Sequence, residues 1–367
     1  MNNKQNHKRE TTPASIESVN LPISLKNPVM FDRSHWGRVR LTGADRVRFL
    51  HNQTTQNIEQ LSAGEGAHTV FVTSTGRTID LTTVFVDEAS LLVITSPGMA
   101  QSLYDWMDRY IFFSDKVTLA DESDQTFMFT VLGEGCDEVM IQIGAKALVD
   151  QPKFSHQRVA VAGTQITAAV GGDLAVDGYT LWGRRDDAKD IWQTLTAAGA
   201  TVGSTQQWEN LRIRQGRPMP HQELTEDDNP LESGLWHSVS FEKGCYIGQE
   251  TIARLNTYKG VKKRLWGLVL AHPANEPANE PASNPANELA NIGETVWLGD
   301  DKIGKVTSLT KDDSGMFGLA YLRTKAGGKG LQVMVGDRDQ NKHQTKADVV
   351  ELPFVNHEYY STDVASP

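Results

Sequence analysis

Apolar positions recur along this chain with two different periods, and the switches between them mark its elements. Met99, Leu103, Trp106, Met107, Tyr110 and Ile111 share one helical face, directly after the breaker Pro97-Gly98. The aromatic members of that stripe read as core. Upstream, Phe31 to Arg40 reads as one strand leading to Thr42-Gly43, and Asp45 to Gln53 as a helix with Val47, Phe49 and Leu50 apolar. His68 to Thr73 and Thr78 to Val86, joined through Ser74-Thr75-Gly76, have the pattern of a β-hairpin, and Ser90 to Thr95 adds a strand. Short strands recur from Phe127 to Trp182. Ile191, Trp192 and Leu195 mark a helix that Gly199 stops, and Ser204 with Gln207 has capping-box spacing before a helix ending at Gly216. Hairpins, rather than strand–helix–strand crossovers, predict an α+β fold with antiparallel sheets.

Beyond Lys259 the helical period vanishes. Arg264 to Leu270, Glu294 to Leu298, Lys302 to Leu309, Phe317 to Leu322, Leu331 to Val335 and Ala347 to Leu352 are short strand candidates with glycines between them. Their spacing predicts a small antiparallel barrel or sandwich over 261–352. A degenerate tetrapeptide repeat from Ala274 to Leu289 interrupts it. Its prolines block helix and ladder alike, so 272–291 reads as a disordered insertion on a hairpin. The polar residues 1–27 and the last residues, 353–367, read as tails, leaving 28–260 as the α+β region.

Composition narrows the function classes. The chain has 367 residues, which is long for one core, and a formal net charge of -10. That balance argues against broad nucleic-acid binding, and no apolar run approaches the ~18 residues of a membrane span. Cys136 and Cys245 are the chain's only cysteines. They fit a reducing compartment, fall short of the four thiolates of an iron–sulfur site, and sit in no zinc-like spacing. The expected setting is cytoplasmic, or a plastid or mitochondrial matrix in a eukaryote, with a monomer touching neither nucleic acid nor membrane directly. Nucleotide-binding, serine-hydrolase and zincin motifs are absent from the sequence.

Candidate chemistry centres on Lys243-Gly244-Cys245-Tyr246-Ile247-Gly248-Gln249-Glu250. Two glycines bracket a thiol in what reads as a shaped loop, where Lys243 and Arg254 would favour a thiolate. The competing reading is a buried cysteine acting as a small hydrophobe. Glu232, in Pro230-Leu231-Glu232-Ser233-Gly234, is a carboxylate suited to accept paired N–H donors from a flat heterocycle, or else a surface carboxylate. Asp80 follows the hairpin turn in a strand that disfavours it, so it has either a specific partner or an outward aspect. Lys259, Lys262, Lys263 and Arg264 form either a solvated turn or an attraction point for an anionic ligand tail.

The cysteine stretch resembles the signature of the YgfZ family, the folate-binding relatives of the glycine-cleavage T-protein that support iron–sulfur enzymes. The resemblance extends over roughly Phe31 to Leu352. Asp32-Arg33-Ser34, Leu41-Thr42-Gly43, Asp45, Phe49-Leu50, Thr54-Thr55, Gly64, Gly76 and Asp80 resemble the first half of that superfamily. Trp208 to Ile213, Gly216-Arg217-Pro218, Glu223-Leu224-Thr225 and Pro230-Leu231-Glu232 look like its cyanobacterial and plastid branch.

The resemblance implies a three-domain clover-leaf: two interleaved ferredoxin-like α+β units and a C-terminal β-barrel, with tetrahydrofolate in a central hole. It implies Asp80, Glu232, Tyr246, Gln249 and Glu250 around folate, with Cys245, Lys243 and Arg254 as the reactive group. Two departures oppose aminomethyl transfer. The T-protein Asp-Asp pair is Asp80-Leu81 here, and Arg214 stands where T-proteins place the Glu that reads the pterin. The expected function is a folate-dependent factor for assembly or repair of iron–sulfur clusters in client enzymes, tRNA-modifying enzymes included. Its rivals are a folate-dependent aminomethyl or methyl transferase and a non-catalytic scaffold in which Cys245 merely packs.

Overall fold

The structure, a computed structural model, describes residues 25–271, 290–312, 315–337 and 344–357. The tetrapeptide repeats and most of both expected tails lie outside the described residues. The chain opens with β1 (Val29–Asp32), then β2 (Gly37–Thr42), α1 (Arg46–Gln53), β3 (Gly66–Val72), β4 (Thr78–Val86), β5 (Ser90–Thr95), α2 (Ala100–Asp108) and β6 (Thr118–Asp121). It continues through β7 (Thr126–Leu132), α3 (Cys136–Gln142), β8 (His156–Val161), β9 (Thr164–Val170), β10 (Gly178–Arg184), α4 (Ala188–Ala197) and β11 (Thr201–Val202). Next come α5 (Thr205–Gln215) and α6 (Gln249–Thr257). The last third holds β12 (Lys263–Leu270), β13 (Thr295–Leu298), β14 (Asp301–Asp312), β15 (Gly315–Arg323), β16 (Gln332–Val335) and β17 (Thr345–Val350).

These strands form a sheet ordered β3-β4-β5-β2-β6, a second ordered β11-β1-β7-β10-β9-β8, and a closed barrel β12-β15-β14-β13-β16-β17. The expected α+β class with antiparallel sheets and a C-terminal barrel is therefore the observed one. The segment 31–40, expected as one strand, is two. Trp36 N–H donates to the Arg33 carbonyl across a turn, and β1 and β2 enter different sheets. The chain thus starts the second sheet, leaves to build the first, and returns at β7, so the two α+β units are interleaved.

Strand alternation explains how the units meet. Leu91 and Val93 of β5 face α1 and α2, packing with Phe49, Leu50, Leu103 and Met107. Leu92 and Ile94, on its other face, join Phe85, Met128, Leu132, Ala169 and Trp182 between the sheets. Helices α3 and α4 cover the far face of the second sheet through Val139, Met140, Ile191 and Leu195. Both sheets are covered on both faces, which is why β5 is buried end to end.

Helix α5 fastens the barrel to this pair. Its capping box is formed: Gln207 N–H donates to Ser204 Oγ and Ser204 N–H to Gln207 Oε1, an arrangement worth about 1 kcal/mol. Arg212 of α5 is fully buried on Glu223, Gln222 and Ser308 of β14. Residues 353–357, expected to begin a tail, are packed instead. Phe354 N–H donates to Gln215 O, and its ring is buried with Val70 and Trp236.

Candidate functional site

The cysteine loop is pinned onto the end of α1. Ser240 N–H donates to Thr55 O at 3.0 Å and Ile247 N–H to Asn52 O at 3.1 Å. Between those clamps Lys243 Nζ donates to the carbonyls of His51, Thr54 and Gln56 at 2.5, 2.7 and 2.8 Å. A helix end leaves such carbonyls without intrahelical partners, and a cation there also suits the helix dipole. Burial pulls the Lys243 ammonium down to about 7, with Glu59 opposing; the three carbonyls also favour the charged form. The side chain expected to activate the thiol has all its hydrogen bonds on main-chain oxygens.

The second anchor is a contact between two glycines. Gly248 adopts φ +81°, and a Cβ there would lie 2.5 Å from Thr73 O and 3.0 Å from Gly76 Cα, in the β3–β4 turn. Only a glycine accepts both that φ and that approach. Gly244 is not left-handed, so one of the two bracketing glycines is demanded by the backbone.

Cys245 is exposed at the loop's tip, whereas Cys136 is buried. It lines a cleft of about 810 Å3 with Asn52, Gln53, Tyr110, Phe112 and Tyr246. Tyr110, assigned to the core by its periodicity, is half-buried at this cleft. Tyr246 is buried in the central cluster with Leu231, Leu235 and Trp236, and burial pushes its phenol pKa up. Gln249 Nε2 approaches Lys243 O at 3.5 Å. Glu250 and Arg254 are exposed on the first and last turns of α6 and are not among the cleft's lining residues.

The carboxylates expected around folate stand elsewhere. A β-bulge in β4 opposite Phe71 and Val72 brings Ile79 and Asp80 onto the face of the first α+β core. Asp80 is fully buried; Ser96 N–H donates to its Oδ2 at 2.9 Å, while Oδ1 has no partner. Burial raises its pKa to about 7. Leu81, on the opposite face, packs with Leu224, Leu231 and Leu235 at the joint of the first sheet with α6 and the segment leading to it. At the T-protein-like pair, the joint-facing position is therefore apolar.

Glu232 does reach that joint. Asn229 Oδ1 accepts from the Leu231 and Glu232 N–H groups and shapes the turn, and Leu265 N–H donates to Glu232 O from the barrel. The Glu232 carboxylate is buried with one long bond, from Asn229 N–H at 3.3 Å. Burial raises its pKa, with Lys263 pulling the other way. Arg214 is turned to the barrel, where it bonds both oxygens of Asp312 at 2.5 Å and stacks 3.4 Å from the Phe317 ring centre. The basic run does not form one surface patch: Lys263 pairs with Asp228 at 2.6 Å and Arg264 is buried.

One buried hub escaped the sequence reading. The Asp173 carboxylate accepts from Arg33 at 3.0 Å, Arg217 at 2.9 Å, His68 Nε2 at 2.8 Å and Thr83 at 3.2 Å. Burial alone would raise its pKa, but Arg217, His68 and Arg33 hold it well below the usual carboxylate range. The Arg33 guanidinium stacks between Trp36 and Trp208 at 3.7 and 4.4 Å. The only local signal was an acid directly after Gly171-Gly172, in a stretch of recurring short strands. Gln53, which lines the thiol cleft, was missed as well, since it reads as an ordinary helix-end amide.

Residues 25–243 match the family model described as the GCVT N-terminal domain. A chloroplastic Arabidopsis thaliana protein, provisionally named a transferase, is 43% identical over 311 residues, 84% of this chain and 68% of its own. An aminomethyltransferase of Halalkalibacterium halodurans is 27% identical over 334 residues, 89% of this chain and 86% of its own. The crystal structure of glycine cleavage system aminomethyltransferase T from Bartonella henselae superposes with a TM-score of 0.73 at 17% identity, covering 92% of this chain and 88% of that one. That likeness agrees with the two interleaved α+β units and the closed barrel, and with the matched residues it establishes that this chain belongs to the GCVT-domain family of the glycine-cleavage T-protein superfamily.

Proposed function

We propose that this chain is a tetrahydrofolate-binding factor of the YgfZ type, supporting assembly or repair of iron–sulfur clusters in client enzymes, tRNA-modifying enzymes among them. The observation that carries this reading is Leu81. It faces the joint with no exposed surface, among leucines, where transfer of an aminomethyl group calls for a carboxylate to handle a proton. Asp80 does not substitute for it, because the bulge turns its side chain into the first core, against Ser96 N–H.

The residues at the joint fit folate in kind. A pterin presents paired N–H donors, and a buried carboxylate short of donors is their complement. Glu232 meets that description. Arg214 does not, being occupied by Asp312. Bound folate would supply a one-carbon unit or a reductant; the chain's own part is to desolvate the pterin and orient it through Glu232. Cys245 is the accessible thiol, and a cluster or its sulfur would be cargo meeting it at the surface.

A second reading, aminomethyl or methyl transfer, draws on relatives such as the aminomethyltransferase that spans 89% of this chain. One experiment separates the two. The purified protein is titrated with tetrahydrofolate and assayed for glycine cleavage, and a strain lacking it is complemented with wild type or Cys245→Ser while an iron–sulfur dehydratase is assayed. Folate binding, no glycine cleavage, and dehydratase activity restored by wild type alone are expected. Turnover of a methylene donor, or full rescue by Cys245→Ser, would overturn the proposal.

A further inference from the structure

We infer that the cleft at Cys245 is a docking site for a cysteine-bearing polypeptide segment of a partner, held through its main chain by Gln53 and through apolar side chains by the Phe112–Phe113 rim. The inference rests on Cys245 being the working thiol, and adds what that thiol meets. Two independent observations point to a ligand. Gln53 lines the same cleft, is 6% exposed, and its Oε1 has no hydrogen-bond partner. A buried acceptor left unmade is costly, so an incoming N–H donor gains more there than at an exposed amide. The rim carries aromatic surface that the fold does not use: Phe112 is 71% exposed, and Phe113, beside it, is fully exposed.

These features choose among occupants. A small thiol engages Cys245 without reaching Phe113, which is outside the cleft's lining, so it leaves the rim unexplained. A polypeptide supplies a main-chain N–H, a thiol at side-chain reach of the backbone, and flanking side chains to cover the rim. Asp45 and Asp115 also line the cleft, with their carboxylates accepting from Lys116 N–H and Phe112 N–H; Arg48, exposed there and without a carboxylate partner among the described residues, suits an acidic neighbour of the partner's cysteine. Lys243, Ile247 and Gly248 anchor the loop through main-chain contacts, so the thiol is offered on a fixed mount.

The test uses full-length protein and a blocked pentapeptide with a central cysteine, one glutamate and flanking leucines, carried as its mixed disulfide with thionitrobenzoate. The Cys245 thiolate attacks the peptide sulfur; a Cys245–peptide disulfide forms, the old S–S bond breaks, and thionitrobenzoate leaves with the electron pair and is read by absorbance. The mercaptoethanol and glutathione analogues are run in parallel, and tetrahydrofolate affinity is measured on each protein. Wild type is expected to prefer the peptide over the mercaptoethanol analogue about tenfold. Phe113→Ser should cut that ratio about fivefold, and Gln53→Met should lower it as well. Phe113 is exposed, so its variant reads out whether or not Gln53→Met folds. A ratio near one with folate binding intact overturns the docking site alone. A glutathione preference equal to the peptide's and untouched by Phe113→Ser overturns it in favour of a small thiol. A Cys245 inert to all three overturns both this inference and the reading of the thiol.

Discussion

Lys243 Nζ donates to the Thr54 carbonyl at 2.7 Å, joining the cysteine loop to the end of a helix 189 residues earlier in the chain. The ammonium sits inside the protein as the cap of α1, and Cys245 is presented outside as a consequence. A loop without regular structure keeps its shape here because a charged donor saturates carbonyls that would otherwise be stranded.

Lys243→Met keeps the apolar stem and removes the donor. The His51 and Thr54 carbonyls then lack a partner, while Gln56 O keeps Ile58 N–H at 3.0 Å, and the cost is expected at about 2–4 kcal/mol. Urea unfolding measures it; a change of the midpoint within error would show that water replaces the ammonium without loss.

The two thiols should differ sharply in alkylation. Burial, with Asp137 adding to it, raises the Cys136 pKa to about 11, so at pH 8 only about one in a thousand is thiolate. Cys245 is exposed and should take nearly all the label in peptide mapping. Cys245→Ser should leave the melting temperature within about 1 °C, since an exposed loop side chain contributes little to stability.

Local signals were legible in the sequence, and partner choice was not. The Ser204–Gln207 box, the stop at Gly216 and all six barrel strands depend on residues within a few positions, and each stands where the pattern put it. The break at Arg33–Trp36 is non-local, because β1 and β2 read alike until their sheets are known. Asp80 was legible as an out-of-place acid, but its aspect depends on a single bulge opposite Phe71 that alternation alone does not announce. The Asp173 hub collects Arg33, His68 and Arg217 from distant segments. The Lys243 contacts cross 187 to 192 residues, so sequence adjacency announced a cation beside Cys245 and not the carbonyls it anchors.

Asp80 gives a pH signature. Its folded-state pKa is raised to about 7 by burial, above the unfolded value near ~3.9. The folded state therefore binds the proton more tightly, so this stability is complete below about pH 4 and is lost as pH rises through about 7. Asp80→Asn keeps an acceptor for Ser96 N–H and removes the titration. Relative to wild type it should gain stability between pH 5 and 8, by up to about 4 kcal/mol for a shift of this size. Parallel urea curves at the two pH values check it, and an unchanged difference would mean Asp80 is ionised throughout.

Glu232→Gln separates a binding carboxylate from a structural one. The carboxylate is buried, its pKa is raised by that burial, and its one main-chain bond is 3.3 Å long. Neutralising it removes a desolvated charge, so the variant should be as stable as wild type or more stable near pH 8, the sign expected of a residue kept for binding at a cost in stability. If Glu232 accepts the paired N–H donors of a pterin, the same change turns one acceptor into a donor facing a donor. Tetrahydrofolate affinity should then fall about tenfold to a hundredfold, the equivalent of one or two charge-assisted hydrogen bonds. Thermal melts with and without ligand read both quantities on one sample. A loss of stability with unchanged affinity would assign Glu232 to the Asn229 turn and leave the pterin to another carboxylate.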